Sequence, residues 1–129
     1  AALKAKGLKI GVAGNQPERA EAALAQAGVT ADYLASSERW GVEKPSPQFF
    51  ARIAETAGLA PHQIAYVGDR LDNDVLPARA AGLFAVFLVR GPWGIVHARR
   101  PEKVRASLVI DRLSDLPAAL DRAAGRGLR

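Results

Sequence analysis

Three carboxylates follow one short apolar segment in the middle of the chain. The run 64–67 ends at Gly68, and Asp69, Asp72 and Asp74 come within the next six residues. A run of this length between turn signals is typical of a buried strand, so Asp69 is expected at its carboxyl end, where open α/β sheets bind ligands. Three neighbouring acids repel one another without a cation or a basic partner, and oxygen ligands at a strand end suit Mg²⁺. The alternative is that Gly68-Asp69 is only a turn and Asp72 only a helix N-cap.

The elements that must position these acids follow from hydrophobic periodicity and turn residues. We predict strands over 8–13, 32–35, 64–67, 84–89 and 107–110, and helices over 17–27, 47–57, 74–81 and from 114 or 115 to 123. Ser46 is expected to cap the second helix, with Pro47 as its first residue. Strands that alternate with helices predict an α/β fold: a Rossmann-like, three-layer parallel sheet with helices on both faces and right-handed crossovers.

The size and composition of the chain fit one globular domain. It has 129 residues, of which 49% are hydrophobic and 24% charged. We expect a core domain over residues 1–124 and a frayed tail over 125–129. The absence of cysteine excludes disulfides, zinc–thiolate sites and a cysteine nucleophile. No apolar run approaches the roughly 18 residues of a membrane span and no signal-peptide pattern is present, so we expect no membrane partner and a cytoplasmic location.

The formal net charge of +5 arises in the last third of the chain. Residues 90–129 hold nine Lys and Arg against four Asp and Glu. A basic stretch can attract nucleic acid or another polyanion. This one lacks the interleaved aromatic residues of a single-strand binder and matches no DNA-reading motif. The pattern therefore favours a solvated, arginine-rich surface, and we expect no nucleic-acid partner.

Three motifs in this order resemble the haloacid dehalogenase-like (HAD) hydrolase superfamily, of the phosphatase type. The first strand ends in the Gly14-Asn15 loop, and a lysine follows in Glu43-Lys44-Pro45 ahead of a helix. The central strand then ends in Gly68-Asp69, with Asp74 five residues beyond Asp69. The resemblance extends from about residue 3 to residue 120, which is almost the whole chain.

The resemblance implies Mg²⁺-dependent phosphoryl transfer from a small phosphorylated metabolite. It implies that Asp69 holds the metal, that Asp74 assists through a metal-bound water or by orienting the lysine, and that Lys44 contacts the phosphoryl oxygens. Asp69 and Asp74 are thus the implied metal ligands, and Gly14, Asn15 and Lys44 the implied phosphate-binding residues. These roles suit phosphoryl transfer, which mainly needs charge neutralisation and alignment. Taken alone, Lys44 also fits a solvated loop lysine.

Two departures from the family pattern bear on activity. The nucleophile of the family belongs to a motif in which two aspartates flank one residue just after an apolar strand. The triplet of that kind here is Asp72-Asn73-Asp74, which lies past the turn, so the covalent aspartyl-phosphate step has no residue to carry it. Gly14 stands where the family usually has Ser or Thr, and it offers only its backbone N–H to a phosphate, with Asn15 as a possible substitute donor.

The missing nucleophile motif has a structural consequence. In the family its strand is central, between the strands that end here at Ala13 and Val67, so we expect the fold to be incomplete without it, and the cap region that follows it is absent too. An unfilled gap would expose strand edges and apolar surface. We therefore expect an upstream segment or a second chain to supply the strand, and residues 1–7 look like the end of a helix. The alternative is direct pairing of the two strands in a smaller sheet.

Two functions from different classes follow, and the question of whether this chain is an enzyme stays open at this point. One is the C-terminal core portion of a HAD-like phosphatase. The other is a catalytically inactive binding or interaction module that keeps the fold. Retention of Lys44, Asp69 and Asp74 favours the phosphatase, whereas Gly14 and the missing nucleophile favour the inactive module.

Overall fold

The computed structural model describes residues 7–91, 99 and 106–125. The chain divides into two compact units, Ala1–Gly58 and Leu59–Arg129. The single domain over 1–124 stays a prediction. The helix end expected at 1–6, the tail 126–129 and much of the basic stretch lie outside the described residues. No helix in the described part of the chain has the length and apolar character needed to cross a membrane.

In its described residues, 7–58, the first unit is a two-stranded parallel sheet with three helices. Its elements are β1 (Gly11–Gly14), α1 (Arg19–Gln26), β2 (Tyr33–Ser36), α2 (Ser37–Trp40) and α3 (Pro47–Ala57). Strands β1 and β2 run parallel, with Gly11 opposite Tyr33 and Gly14 opposite Ser36. The carboxyl ends of both strands therefore lie at the same edge of this sheet.

Helix α3 begins and ends where its sequence predicts. The Ser46 hydroxyl accepts the N–H of Gln48 at 3.3 Å, Pro47 opens the helix, and Gly58 closes it with a left-handed φ of 70°. Its apolar face buries Phe49 and Phe50 completely. The Phe49 ring packs 5.4 Å from both the Phe50 ring and the ring of Trp40, which anchors α2 to the same core.

The pairing of β1 with β2 depends on a glycine. A Cβ at Gly11 would lie 2.0 Å from Cζ of Tyr33, so the tyrosine ring occupies the space that a larger residue would need. Burial raises the pKa of the Tyr33 phenol above its usual value of 10.0. Just before the strands, the backbone N–H of Ile10 donates to Asp32 Oδ2 at 2.6 Å. Side chains thus set the register of this short sheet.

The described part of the second unit contains a three-stranded parallel sheet of order β3-β4-β5. Its elements in chain order are a 3₁₀ turn (Pro61–Gln63), β3 (Ala65–Gly68), a π-helix (Leu71–Val75), α4 (Leu76–Ala80), β4 (Phe84–Leu88), β5 (Leu108–Ile110), a second 3₁₀ turn (Leu113–Asp115) and α5 (Leu116–Gly125). The middle strand, β4, buries four successive residues from Ala85 to Leu88. A strand buried on both faces is typical of parallel sheets that helices cover.

The strand predictions and the α/β class with parallel pairing are confirmed, with strand ends shifted by up to three residues. The loop predicted ahead of Pro47 contains the short helix α2, which the periodicity did not reveal. The helix predicted over 17–27 begins only at Arg19.

The helix predicted over 74–81 is wrong at its start. A wide π-helical turn over Leu71–Val75 comes first, in which the N–H of Leu76 bonds to the carbonyl of Leu71. Pro77 explains the break, because proline has no N–H and is accepted only in the first turn of the α-helix that follows. The alternative of Asp72 as an N-cap is also wrong, since Arg70 occupies that position.

The alternative of a smaller sheet, in which the first and central strands pair directly, is wrong for the described residues. Strand β1 pairs with β2, and β3 pairs with β4, in separate sheets. The expectation that another segment or chain supplies a further strand stays a prediction.

Candidate functional site

In the first unit, the candidate residues begin where β1 ends. Gly14 is the last residue of the strand and is half-buried, and the exposed Asn15 follows it. A Cβ at Gly14 would have only an ordinary contact, 3.7 Å from Gln16 Cγ. Backbone geometry therefore does not impose glycine at this position.

The side chain of Asn15 is bonded to the backbone of Lys44. The N–H of Lys44 donates to Asn15 Oδ1 at 2.8 Å, and Asn15 Nδ2 donates to the carbonyl of Lys44 at 3.1 Å. Lys44 is half-buried in the loop between α2 and α3, ahead of a cis peptide bond to Pro45. The structure thus joins two of the predicted phosphate-binding residues, which lie 29 positions apart in the sequence.

A polar network around one buried hydroxyl lies at the end of β2, next to the end of β1. Ser36 is fully buried, and its hydroxyl donates to Glu21 Oε2 at 2.6 Å. Arg39 forms an ion pair with Glu21 at 3.2 Å and donates to the carbonyl of Leu34. The sequence analysis missed this network. The one sequence signal for the network was the Ser-Ser-Glu-Arg run after a strand, which is typical of a helix start. Ser36 does cap α2, by accepting the N–H of Arg39.

A cavity of about 470 Å³ opens between β1, β2 and α1 in the same unit. It is lined by Val12, Ala13, Gly14, Gln16, Ala20, Glu21, Ala23, Leu24 and Ala35. The lining is mostly apolar and contains a carboxylate but no cation. The cavity is therefore chemically unsuited to hold a phosphate group by itself.

In the second unit, Gly68 and Asp74 pack directly against each other at the end of β3. A Cβ at Gly68 would lie 2.3 Å from Cβ and 2.6 Å from Oδ2 of Asp74, so the turn would have to shift to take a larger residue. Asp74 is only 4% exposed, and its Oδ2 accepts the N–H of Arg70 at 3.3 Å. The buried carboxylate thus closes the turn that carries Asp69.

The other two acids of this turn differ in their surroundings. Asp69 is half-buried, and its Oδ2 lies 4.0 Å from the position of a Cβ built on Gly91, so the chain after β4 passes beside it. Asp72 is exposed and accepts two hydrogen bonds from the guanidinium of Arg70, at 3.1 Å to Oδ1 and 2.9 Å to Oδ2. The hydrogen bond to Asp72 is the main cause of the raised pKa of Arg70. Arg70, which the sequence analysis overlooked, is therefore the basic partner that three neighbouring acids require.

The donor chemistry of the turn fits a Mg²⁺ ion held by few protein ligands. Among the described side chains, no group of three or more His, Cys, Asp or Glu residues could hold a metal. Mg²⁺ does not need such a group, because it usually binds one or two carboxylates and keeps its other positions for water and phosphate. Asp69 and Asp74 supply two carboxylates within one turn, and Asp72 is engaged by Arg70. The metal-binding and catalytic roles of these residues, and of Lys44, stay predictions.

Comparisons with known proteins agree in pointing to one family. The model of the haloacid dehalogenase-like hydrolases matches residues 1–82. The chain is 40% identical over 80 residues to a glyceraldehyde 3-phosphate phosphatase of Methanopyrus kandleri, covering 62% of this chain and 34% of that protein. It is 33% identical over 129 residues to phosphoglycolate phosphatase 1 of Pseudomonas aeruginosa, covering 95% of this chain and 44% of that protein. The chain therefore spans less than half the length of either relative.

A similar fold is found among solved structures. The crystal structure of a HAD phosphatase from Thermococcus onnurineus superimposes with a TM-score of 0.79 at 26% sequence identity. The match covers 92% of this chain and 53% of that one. The parallel α/β class expected from the order of strands and helices is thus also the class of an experimentally determined relative.

Proposed function

We propose, from the premise that this chain belongs to the haloacid dehalogenase-like hydrolases, that it carries the lysine and metal-binding acids of a Mg²⁺-dependent phosphatase. The observation that carries the proposal is the closed turn after β3. There a buried Asp74 packs on Gly68 and bonds to the backbone next to Asp69. The turn thus offers one buried, hydrogen-bonded carboxylate and one half-buried carboxylate at the strand end, and one or two carboxylates are what Mg²⁺ usually takes from a protein.

The family resemblance implies one chemical task for each proposed residue. Asp69 and Asp74 would hold the Mg²⁺, which neutralises phosphate charge when bound. Lys44 adds a positive point charge toward the phosphoryl oxygens. The backbone N–H of Gly14 is a proposed phosphate donor. The resemblance implies the same role for Asn15, whose Nδ2 carries two hydrogens, of which the Lys44 carbonyl takes one.

The proposed substrate is a small phosphorylated metabolite. The relatives named above are phosphatases of phosphoglycolate and of glyceraldehyde 3-phosphate, which are both short phosphate esters. A Mg²⁺ held by two carboxylates, together with one lysine and backbone donors, would suit a phosphate group and leave the rest of the substrate unspecified. A cytoplasmic location and the absence of nucleic-acid and membrane partners stay predictions, as does a further segment or chain that completes the sheet.

A second candidate function is a catalytically inactive binding module, and one observation favours it. The triplet Asp72-Asn73-Asp74, which has the spacing of the family's nucleophile motif, lies in the π-helix rather than directly after a strand. Its first acid is paired with Arg70, and its second is buried against Gly68. Neither carboxylate directly follows an apolar strand, which is where the family's nucleophile belongs. The inactive module therefore predicts that the chain binds its ligand without hydrolysing it.

The experiment measures Mg²⁺ binding by calorimetry and Mg²⁺-dependent hydrolysis of p-nitrophenyl phosphate and phosphoglycolate by the chain. The variant Asp69→Asn should lose Mg²⁺ binding. Asp72→Asn is the matched control in the same turn, and it should bind Mg²⁺ as the parent does, because its carboxylate is engaged by Arg70.

The outcomes separate the two functions. Hydrolysis that is lost in Asp69→Asn supports the phosphatase and means that a residue other than this triplet carries the nucleophile role. Mg²⁺ binding without hydrolysis supports the inactive module for the chain as it stands. Mg²⁺ binding that survives Asp69→Asn would contradict the proposed metal site.

A further inference from the structure

Two hydrogen bonds of opposite direction join the side chain of Asn15 to the backbone of Lys44. The side-chain amide of Asn15 accepts from the N–H of Lys44 and donates to its carbonyl, at 2.8 and 3.1 Å. A carboxamide is the one short side chain that carries both an acceptor and a donor in a plane. It therefore pairs with the backbone of one residue much as a neighbouring strand does.

This pairing determines how the side chain of Lys44 leaves the backbone. Because Lys44 precedes Pro45, its backbone is already restricted to extended conformations. Once the directions of its N–H and C=O are set as well, the direction of its Cα–Cβ bond is determined. A flexible four-carbon side chain then starts from a defined point, which limits the volume that its ammonium group explores.

Asn15 is itself held in place by neighbouring elements. It follows β1 directly, and the carbonyl of the next residue, Gln16, accepts from the Ser37 hydroxyl at 3.2 Å and the Glu38 N–H at 3.3 Å. The carboxylate of Glu38 also accepts the N–H of Glu18 at 2.6 Å. The first turn of α2 therefore fixes the loop from which Asn15 reaches Lys44.

We propose that Asn15 is a positioning residue: it holds the backbone of Lys44 so that the ammonium group faces the phosphoryl group, and it acts on the ligand through Lys44. The inference rests on the proposed function, in which Lys44 contacts the phosphate. It assigns Asn15 a different task from the phosphate-binding role implied by family resemblance. A direct ligand and a positioning residue differ in one measurable respect, which is whether the effect of Asn15 depends on Lys44.

The test is a double-mutant cycle on the affinity for inorganic phosphate, measured with the chain in the presence of Mg²⁺. The variants are Asn15→Ala, Lys44→Ala and the two combined. Gln16→Ala, which removes a carboxamide one residue along the same loop, is the matched control. In each variant, hydrogen exchange of the Lys44 amide is followed by NMR, and circular dichroism checks the fold.

Asn15→Ala should weaken phosphate binding by roughly five- to tenfold and should lower the exchange protection of the Lys44 N–H. In the Lys44→Ala background the same substitution should change affinity by less than about twofold, as expected for residues that act as one unit. Gln16→Ala should alter neither affinity nor exchange.

Other results would overturn the inference. Additive losses in the double variant would make Asn15 a direct phosphate ligand, and an unchanged affinity in Asn15→Ala would deny it any role. Equal affinities in the parent and Lys44→Ala would overturn the proposed function and the positioning role with it. The exchange of the Lys44 amide would then still report, separately, whether Asn15 holds that backbone.

Discussion

At the scale of single residues, the end of β3 shows how one missing side chain lets a carboxylate pack against the backbone. Asp74 is buried because Gly68 has no Cβ, and the space left by that absence is filled by the carboxylate of Asp74. Arg70 then separates the roles of the remaining acids by pairing with Asp72 and leaving Asp69 at the strand end. The three acids, which lie within six residues of one another, thus have three different environments in the folded chain.

A substitution at Gly68 tests this packing. Gly68→Ala places a methyl group 2.3 Å from Cβ of Asp74, so the turn must shift, and we expect a loss of about 1–3 kcal/mol in the free energy of unfolding. Mg²⁺ affinity should fall as well, because Asp74 and the turn that carries Asp69 move together. Urea denaturation and calorimetry measure the two effects.

Gly14→Ala is the matched stability control, since its new Cβ would lie 3.7 Å from Gln16 Cγ, an ordinary contact. Its free energy of unfolding should change by less than about 1 kcal/mol. Equal stability of the two alanine variants would show that Asp74 does not occupy the space beside Gly68.

At the scale of elements, helix ends and strand pairs depend on a few side chains. Helix α3 follows its sequence signals at both ends, from the Ser46 cap to Gly58. The π-helical turn departs from its signals because Pro77 delays the α-helix that follows. The pair β1–β2 depends on the ring of Tyr33 lying over Gly11. Local sequence rules therefore predict a helix end that a capping residue decides. They do not predict contacts between elements, such as that of Tyr33 with Gly11.

The buried phenol of Tyr33 gives the β1–β2 pair a pH dependence. Burial raises its pKa in the folded state, so its stabilising contribution is complete below the unfolded value of about 10. Above that pH the unfolded chain loses the proton first, and stability should fall as pH rises through the folded pKa. Tyr33→Phe cannot ionise, so its stability should decline less between pH 9 and about 11.

Urea unfolding of both proteins across this alkaline range measures the difference. The parent and Tyr33→Phe should have parallel stabilities below pH 9 and should diverge above it. Parallel curves throughout would show that the phenol of Tyr33 ionises alike in the folded and unfolded chains.

At the scale of the whole molecule, the net charge and the family assignment rest on different features of the sequence. The net charge of +5 arises within residues 90–129 and says nothing about which α/β fold forms. The family assignment comes instead from the order of three motifs, and the match to the hydrolase model over residues 1–82 confirms it. The roles of Lys44, Asp69 and Asp74 stay predictions for the experiments described above.

The basic stretch leads to a prediction for the whole chain. Because its basic residues are not interleaved with aromatic ones and it has no groove-reading motif, binding to a labelled DNA oligonucleotide should be non-specific. Fluorescence anisotropy should give a dissociation constant no tighter than the general range of about 10⁻⁴–10⁻⁶ M, and binding should weaken steeply as salt increases. Nanomolar binding that persists at high salt would contradict the expectation of no nucleic-acid partner.

The sequence by itself determined the parallel α/β class, the five strands, the cap of α3 and the family, because each depends on local periodicity, capping chemistry or the order of motifs along the chain. Only the tertiary structure decided that Asn15 bonds to Lys44, 29 positions away, that Asp74 packs on Gly68, and that Arg70 engages Asp72. The reason is physical. A hydrogen bond or a close contact depends on distances of a few ångströms between side chains, and residue order alone does not specify those distances.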